Sequence, residues 1–240
     1  MTSTAANRAD TEALSRRVIR QLRSGIGPLF AALVIICIAL SIASPEFLTT
    51  STLTNIMVQV SVVGIAAVGG TFVIITSGID LSVGSLVALT GMVAATVMAG
   101  SSPGAIGLGI AGLCAALAVG AAAGALNGLA VAWLRLVPFI VTLAMMAMAR
   151  GLTLAISDGR TKFDFPNAFT AFGAKTVAGL PMPMIVMLVI FVIGHVLLRK
   201  TTFGHQVFAV GGNQEAARLA GIPVHRVVFL TYMLAGVTAA

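Results

Sequence analysis

The chain has 240 residues, of which 58% are apolar and only 9% charged, and its mean hydropathy is +1.07. A soluble domain carries about 25% charged residues, so the composition excludes a soluble protein and requires an integral membrane one. The net charge of +7 does not point to nucleic acid, because most basic residues flank apolar runs, as the positive-inside rule expects.

In chain order, residues 1–25 form a basic arm. Leu14, Val18 and Leu22 recur at i+4 between Arg16, Arg17, Arg20 and Arg23. That spacing fits either an amphipathic helix on the membrane surface or a solvated tail. Residues 26–240 are expected to form the transmembrane domain. Asp, Glu, Lys and Arg are absent from 24–45, 47–79, 81–134 and 176–198. A span needs about 20 residues, so the run 81–134 holds two helices, divided by the turn Gly100 to Gly104. Spans are expected at 28–43, 53–75, 82–99, 105–134, 137–156 and 180–198, with a seventh starting near Val227. The predicted fold is an all-α polytopic bundle of about six complete spans plus part of a seventh. Along the fourth span Gly112, Ala116, Gly120, Gly124 and Gly128 fall four apart, a ridge that lets helix backbones approach closely.

If the spans alternate, the arm, Arg135, Arg199, Lys200, Arg218 and Arg226 share one side. Glu46 and the nearly balanced loop 158–175 lie on the other. The N-terminus and the loop 199–226 are therefore expected in the cytosol. The first apolar run is full-length and many more follow, so it is not an ordinary signal peptide. Cys37 and Cys114 lie in apolar runs and the three His lack ligand spacing, which supports neither a disulfide framework nor a metal site.

Charge inside a membrane is the first place to seek function. Asp80 lies in TSGIDLSVGS, 76–85, bracketed by Gly78 and Gly84. Asp80 or Ser82 can cap the third span, and unwound backbone here can also line a translocation path or gate. Arg150 either snorkels to an interface or points into a water-filled cavity. Asn127 joins the candidate pathway residues. No series of buried carboxylates suits ion coupling, and no GxxxxGK[ST] loop, HExxH or GxSxG is present. The chain is expected to be no enzyme and to bind no cofactor itself.

The cytosolic loop carries one punctuated stretch, GGNQEAARLAGIP, 211–223. Asn213 is a preferred N-cap, Glu215 suits the first turn and Arg218 the last. Gly221 fits a left-handed C′ position and Pro223 blocks continuation. Such a helix is about 10 Å long and marginal alone in water.

Glu215-Ala216-Ala217, three residues and Gly221 resemble the E-A-A-x-x-x-G loop of permease subunits in ATP-binding-cassette importers. GIDLSVGS (78–85), GALNGLAV (124–131), PFIVTL (138–143), ARGL (149–152) and FGHQVFAVGGNQEAARLAGI (203–222) are similar, in order, to the ribose/xylose/arabinose-type sugar permeases. The resemblance covers nearly all of 28–240, and branched-chain amino-acid permeases resemble the chain more loosely. It implies a monosaccharide importer subunit in the bacterial cytoplasmic membrane, paired with a second permease copy, with ATPase subunits holding ATP and Mg and an extracytoplasmic sugar-binding protein. Residues 213–221 would be the ATPase-coupling helix, with Ala216, Ala217 and Leu219 in close contact, Glu215 and Arg218 pairing with partner charges, and Gly221 setting the exit angle. A helix lying at the membrane interface is the alternative. Phe163, Phe165, Phe169 and Phe172 in the outer loop either cover the bundle or dock the binding protein. The resembled family has around ten spans, so the chain is expected to be a fragment or a truncated product. A non-coupled facilitator and a branched-chain amino-acid permease stand as further alternatives.

Overall fold

The computed structural model describes residues 27–99, 106–162 and 165–240. The basic arm, the dividing turn at 100–104, Phe163 and Asp164 lie outside the described residues. The ten described helices are α1 Gly27–Ala43, α2 Thr50–Ile75, α3 Val83–Met98, α4 Ile106–Ala132, α5 Pro138–Ser157, α6 Asn167–Ala174, α7 Met182–Lys200, α8 Thr202–Gly212, α9 Gln214–Leu219 and α10 Val224–Ala239. Between α6 and α7 sits a hairpin of β1 Thr176–Val177 and β2 Leu180–Pro181, antiparallel, with Val177 opposite Leu180. Its two-residue turn puts Ala178 at φ 52° and Gly179 at φ 82°, the twist that a tight hairpin favours.

The chain divides into two compact units at Asn55/Ile56. In the first, α1 has no buried residue. Its following turn is tied by Thr49 and Thr52, whose hydroxyls donate to the Glu46 carbonyl at 2.9 and 2.8 Å.

In the second unit, the expected small-residue ridge of α4 packs on α10. A side chain on Gly124 would strike the Tyr232 carbonyl, and one on Gly120 the Gly236 carbonyl. Gly128 meets the Phe229 backbone, and Gly236 answers from α10 against Gly120 and Gly124. Without hydrophobic drive between helices in lipid, this close backbone contact supplies the cohesion. Two apolar clusters fill the rest. Leu86 and Leu89 of α3 join Ala123 of α4, Met145 and Ala149 of α5 and Ala239 of α10. Phe72 and Val73 of α2 join Val207 and Val210 of α8 and Val227, Tyr232 and Ala235 of α10.

Helices α2, α4, α5 and α7 are each long and apolar enough to cross a membrane, while α1, α3 and α10 are shorter apolar helices. The expected spans thus coincide with helices, offset by a few residues at their ends. The third starts late because residues 76–82 are not helical. The loop 199–226, by contrast, is largely helical: α8 precedes the expected short helix. Thr201 caps α8, its Oγ1 accepting from the Gly204 N–H at 3.2 Å.

Antiparallel packing gathers specific ends together. Gly211 of α8 abuts the Ile75 carbonyl at the end of α2. His225, at the start of α10, hydrogen-bonds the Ala132 carbonyl at the end of α4 through Nδ1, 2.5 Å away. Its ring stacks on Trp133, which meets Phe229 edge-on at 5.2 Å. One end of the second unit therefore holds the ends of α2, α4 and α7, the starts of α5 and α10, and α8 and α9. Arg135, Arg199, Lys200, Arg218 and Arg226 all fall at that end.

Candidate functional site

Helix α9 has two complete caps. Asn213 sits in extended backbone and its Oδ1 accepts from the Ala216 N–H at 3.0 Å, satisfying a donor that the first turn leaves orphaned. At the other end Gly221 takes φ +82°. Its N–H reaches the Arg218 carbonyl and the Ile222 N–H reaches the Ala217 carbonyl, each at 3.0 Å. That paired pattern is the Schellman motif. Its usual apolar closure is present, since Ile222 and Ala217 belong to one apolar cluster.

The six-residue helix presents an open ridge. Glu215 and Arg218 pair bidentately, with Nη2 to Oε1 at 2.6 Å and Nε to Oε2 at 3.1 Å. The arginine's hydrogen bond and charge hold the Glu215 carboxyl below the usual carboxylate range, and the carboxylate in turn raises Arg218. Both are solvent-exposed, so the pair itself contributes little stability. Ala216 is exposed, and Leu219 is 78% exposed. Ala217 departs from the expected partner contact. It is 4% exposed and packs into the chain's own core, because a two-turn helix needs one face buried to persist.

The second feature is the break between α2 and α3. Ser77 takes φ 61° and the Gly78 N–H returns to the Val73 carbonyl at 2.9 Å. Gly78 is required by crowding, since a Cβ there would meet the Tyr232 hydroxyl at 2.7 Å and Val73 Cγ1 at 2.8 Å. The freed Ile79 carbonyl accepts from the hydroxyls of Thr142 on α5 and Tyr232 on α10, each at 3.3 Å. Asp80 Oδ1 accepts from Ser82 N at 2.9 Å and Ser82 Oγ at 2.6 Å, and Asn127 Nδ2 on α4 donates to Ser82 Oγ at 3.0 Å. The expected cap is therefore partly different. Ser82 makes no side-chain capping bond to α3, and Asp80 instead binds Ser82 itself. Asp80 Oδ2 and Asn127 Oδ1 are buried without a protein hydrogen-bond partner.

Gly84 and Arg150 do not join this knot. They line an open groove between α3 and α5 with Leu81, Ser85, Met146 and Thr153. The expected pathway residues thus separate into a buried knot of Gly78, Asp80, Ser82 and Asn127 and an exposed groove carrying Arg150. Among the outer-loop phenylalanines, Phe169 and Phe172 lie with Pro166 against Ile106 and Ile110 of α4.

Sequence reasoning missed Thr142 and Tyr232, which hold the break open by donating to its orphan carbonyl. A lone hydroxyl in an apolar span at the level of a helix break was the available signal, since unwound backbone in a bundle needs donors from neighbouring helices.

The family described as branched-chain amino acid transport system / permease component matches residues 52–240. The chain is 43% identical over 218 residues to the ribose import permease protein RbsC of Escherichia coli (strain K12), covering 88% of this chain and 65% of that protein. It is 39% identical to the D-allose transport system permease protein AlsC of the same strain, covering 89% and 64%. To the L-arabinose ABC transporter permease protein AraH of Azospirillum brasilense it is 38% identical, covering 98% and 68%. No solved structure matches. The chain spans about two thirds of the length of the curated relatives it matches. It belongs to the branched-chain amino acid transport system / permease component family and is, within it, similar to sugar permeases.

Proposed function

We propose that the chain is the membrane-spanning subunit of an ATP-driven importer that moves a monosaccharide across the bacterial cytoplasmic membrane. The observation that carries this reading is α9: a short helix capped at both ends, seated on the core by Ala217, with Glu215, Ala216, Arg218 and Leu219 open. An isolated apolar side chain as exposed as Leu219, beside a rigid ion pair, suits a socket on another protein better than water. The basic end that carries α9 faces the cytosol, together with the N-terminus, because the positive side of a bundle stays inside. There α9 meets an ATPase subunit, which binds ATP and Mg; this chain binds neither.

In that arrangement α8, α9 and α10 form one continuous linkage. Displacement of α9 by the ATPase reaches the helix break through Tyr232, which bonds the Ile79 carbonyl. Gly78, Asp80, Ser82 and Asn127 then act as the gate's fixed joint, while Gly84 and Arg150 line the half-pathway that a second permease copy completes. Only contacts that differ between inward- and outward-open states can do this work. Selectivity rests on an extracytoplasmic binding protein, since the groove offers few sugar-gripping groups. The relatives named for ribose, allose and arabinose favour a pentose or hexose. The family description favours a second reading, branched-chain amino acids.

Reversing charge with Glu215→Lys, or placing Leu219→Asp, is expected to leave membrane insertion intact while abolishing co-purification with the ATPase. Normal association by both variants would contradict the coupling assignment. Uptake of labelled pentoses, hexoses and leucine by the full transporter discriminates the substrates.

A further inference from the structure

We propose that the groove between α2 and α7 binds an anionic phospholipid, its phosphate on His195 and Arg199 and an acyl chain along the apolar wall. Val68 and Phe72 of α2 and Phe191 and Leu198 of α7 make that wall, and His195 and Arg199 rise from the same face of α7. Four residues apart, the two side chains sit one above the other. Gly194 forms the floor: a side chain there would collide with Val68, so the two helices meet at this point and leave a slot on either side. The slot encloses about 250 Å³, enough for the first several methylenes of a chain.

Two of its polar groups, His195 and Arg199, can donate to an outside ligand, whereas Thr71 offers only its oxygen. Thr71 spends its hydroxyl proton on the Ala67 carbonyl at 2.7 Å. His195 and Arg199 have no hydrogen bond or ion pair among the described residues. Arg199 offers a guanidinium fork, and the imidazole of His195 keeps at least one N–H in either protonation state. Arg199 and Lys200 together answer the dipole at the end of α7. That role does not require His195, which lies one turn, about 6 Å, deeper. A pair of donors on an apolar wall at that depth costs free energy unless an acceptor comes with the surrounding lipid.

Within the second unit's described residues only Gly194 of α7 is buried, so this face is open to an occupant. A second copy is the poorer occupant. Isologous contact sets each patch against itself, which here brings like cations together in a chain of net charge +7. A phosphodiester with its own hydrocarbon supplies the opposite charge and the apolar filling at once.

The test is lipid retention by the full chain, read by native mass spectrometry after reconstitution into nanodiscs of phosphatidylglycerol or phosphatidylcholine and transfer to mild detergent. Both leaflets of a nanodisc are alike, so the result depends neither on orientation nor on what the protein transports. Phosphatidylglycerol is expected to stay bound and phosphatidylcholine to be lost. Arg199→Gln is expected to reduce retention about five-fold, and His195→Leu with Arg199→Gln to abolish it. Lys162→Gln, which removes one charge at the opposite end, is expected to leave it unchanged. Equal retention of the two lipids by the unaltered chain overturns the proposal without recourse to any variant. So does undiminished retention by the double variant, or a cross-link between copies through cysteine at Phe191.

Discussion

Ser82 is the hub of the buried polar knot, donating to Asp80 and accepting from Asn127 while wholly buried itself. Removing a hub leaves the Asn127 amide with an unmet donor in low dielectric, and one such group costs about 1–3 kcal/mol. Ser82→Ala should therefore lower the unfolding free energy by about that amount in detergent melts. Adding Asn127→Ala to it should cost clearly less than Asn127→Ala alone, because the pair shares one bond. Additive losses would mean the knot carries no coupling. At the other site, Glu215 has its folded-state pKa depressed by Arg218. A depressed carboxyl stabilises above the unfolded pKa and loses that contribution as pH falls through the folded one. Protection of the Arg218 to Ile222 amides, at the C-terminal end of α9 and its cap, should accordingly hold from neutral pH down to the ordinary glutamate range and drop below it, read by hydrogen exchange. Arg218→Gln should remove that dependence. Gly221 stands apart from both, since at φ +82° any L side chain is strained; Gly221→Ala should loosen the C-terminal cap by about 1 kcal/mol.

At the scale of elements, α4 against α10 is the contact on which the bundle depends. Glycines are valuable there only where a backbone lies opposite. Gly124→Val should therefore abolish a monodisperse fold, because it meets the Tyr232 carbonyl and the Met233 and Gly236 Cα atoms. Gly91→Ala in α3 meets nothing within 4 Å and should raise the unfolding free energy by about 0.4–1 kcal/mol, through the entropy it removes from the unfolded chain. Equal behaviour of the two would refute close backbone packing as the source of cohesion. The spans and the ridge were legible in the sequence because each is a matter of period and composition: charge-free lengths for the spans, steps of four for the ridge. The caps of α9 were legible for the same reason, since Asn213 and Gly221 act within their own turn. Helix α8 was not. FGHQVFAVGG opens and closes on glycines, and Gly204 and Gly211 are there to admit the Leu198 and Ile75 carbonyls of neighbouring segments, a tertiary reason that local pattern does not carry. Ala217 was misjudged on the same ground. A face that looks available in sequence turns inward once Val207, Val210 and Val227 are placed beneath it.

Across the second unit, Arg135, Arg199, Lys200, Arg218 and Arg226, the helices α8 and α9 and the approach to the helix break lie at one end. The β1–β2 hairpin, α6 and the loop after α5 lie at the other. On the proposed function, force is received at the basic end and the substrate admitted at the opposite one. In the proposed function the exposed ridge of α9 seats in an ATPase. The most direct measurement places a photo-cross-linking side chain at Leu219 of the membrane-embedded transporter assembled with its ATPase, with Phe172 as the comparison position. The account predicts an ATP-sensitive cross-link to the ATPase from Leu219 and none from Phe172. A cross-link from Phe172 alone, or labelling of a cysteine at 219 by an impermeant reagent applied outside intact cells, would contradict it.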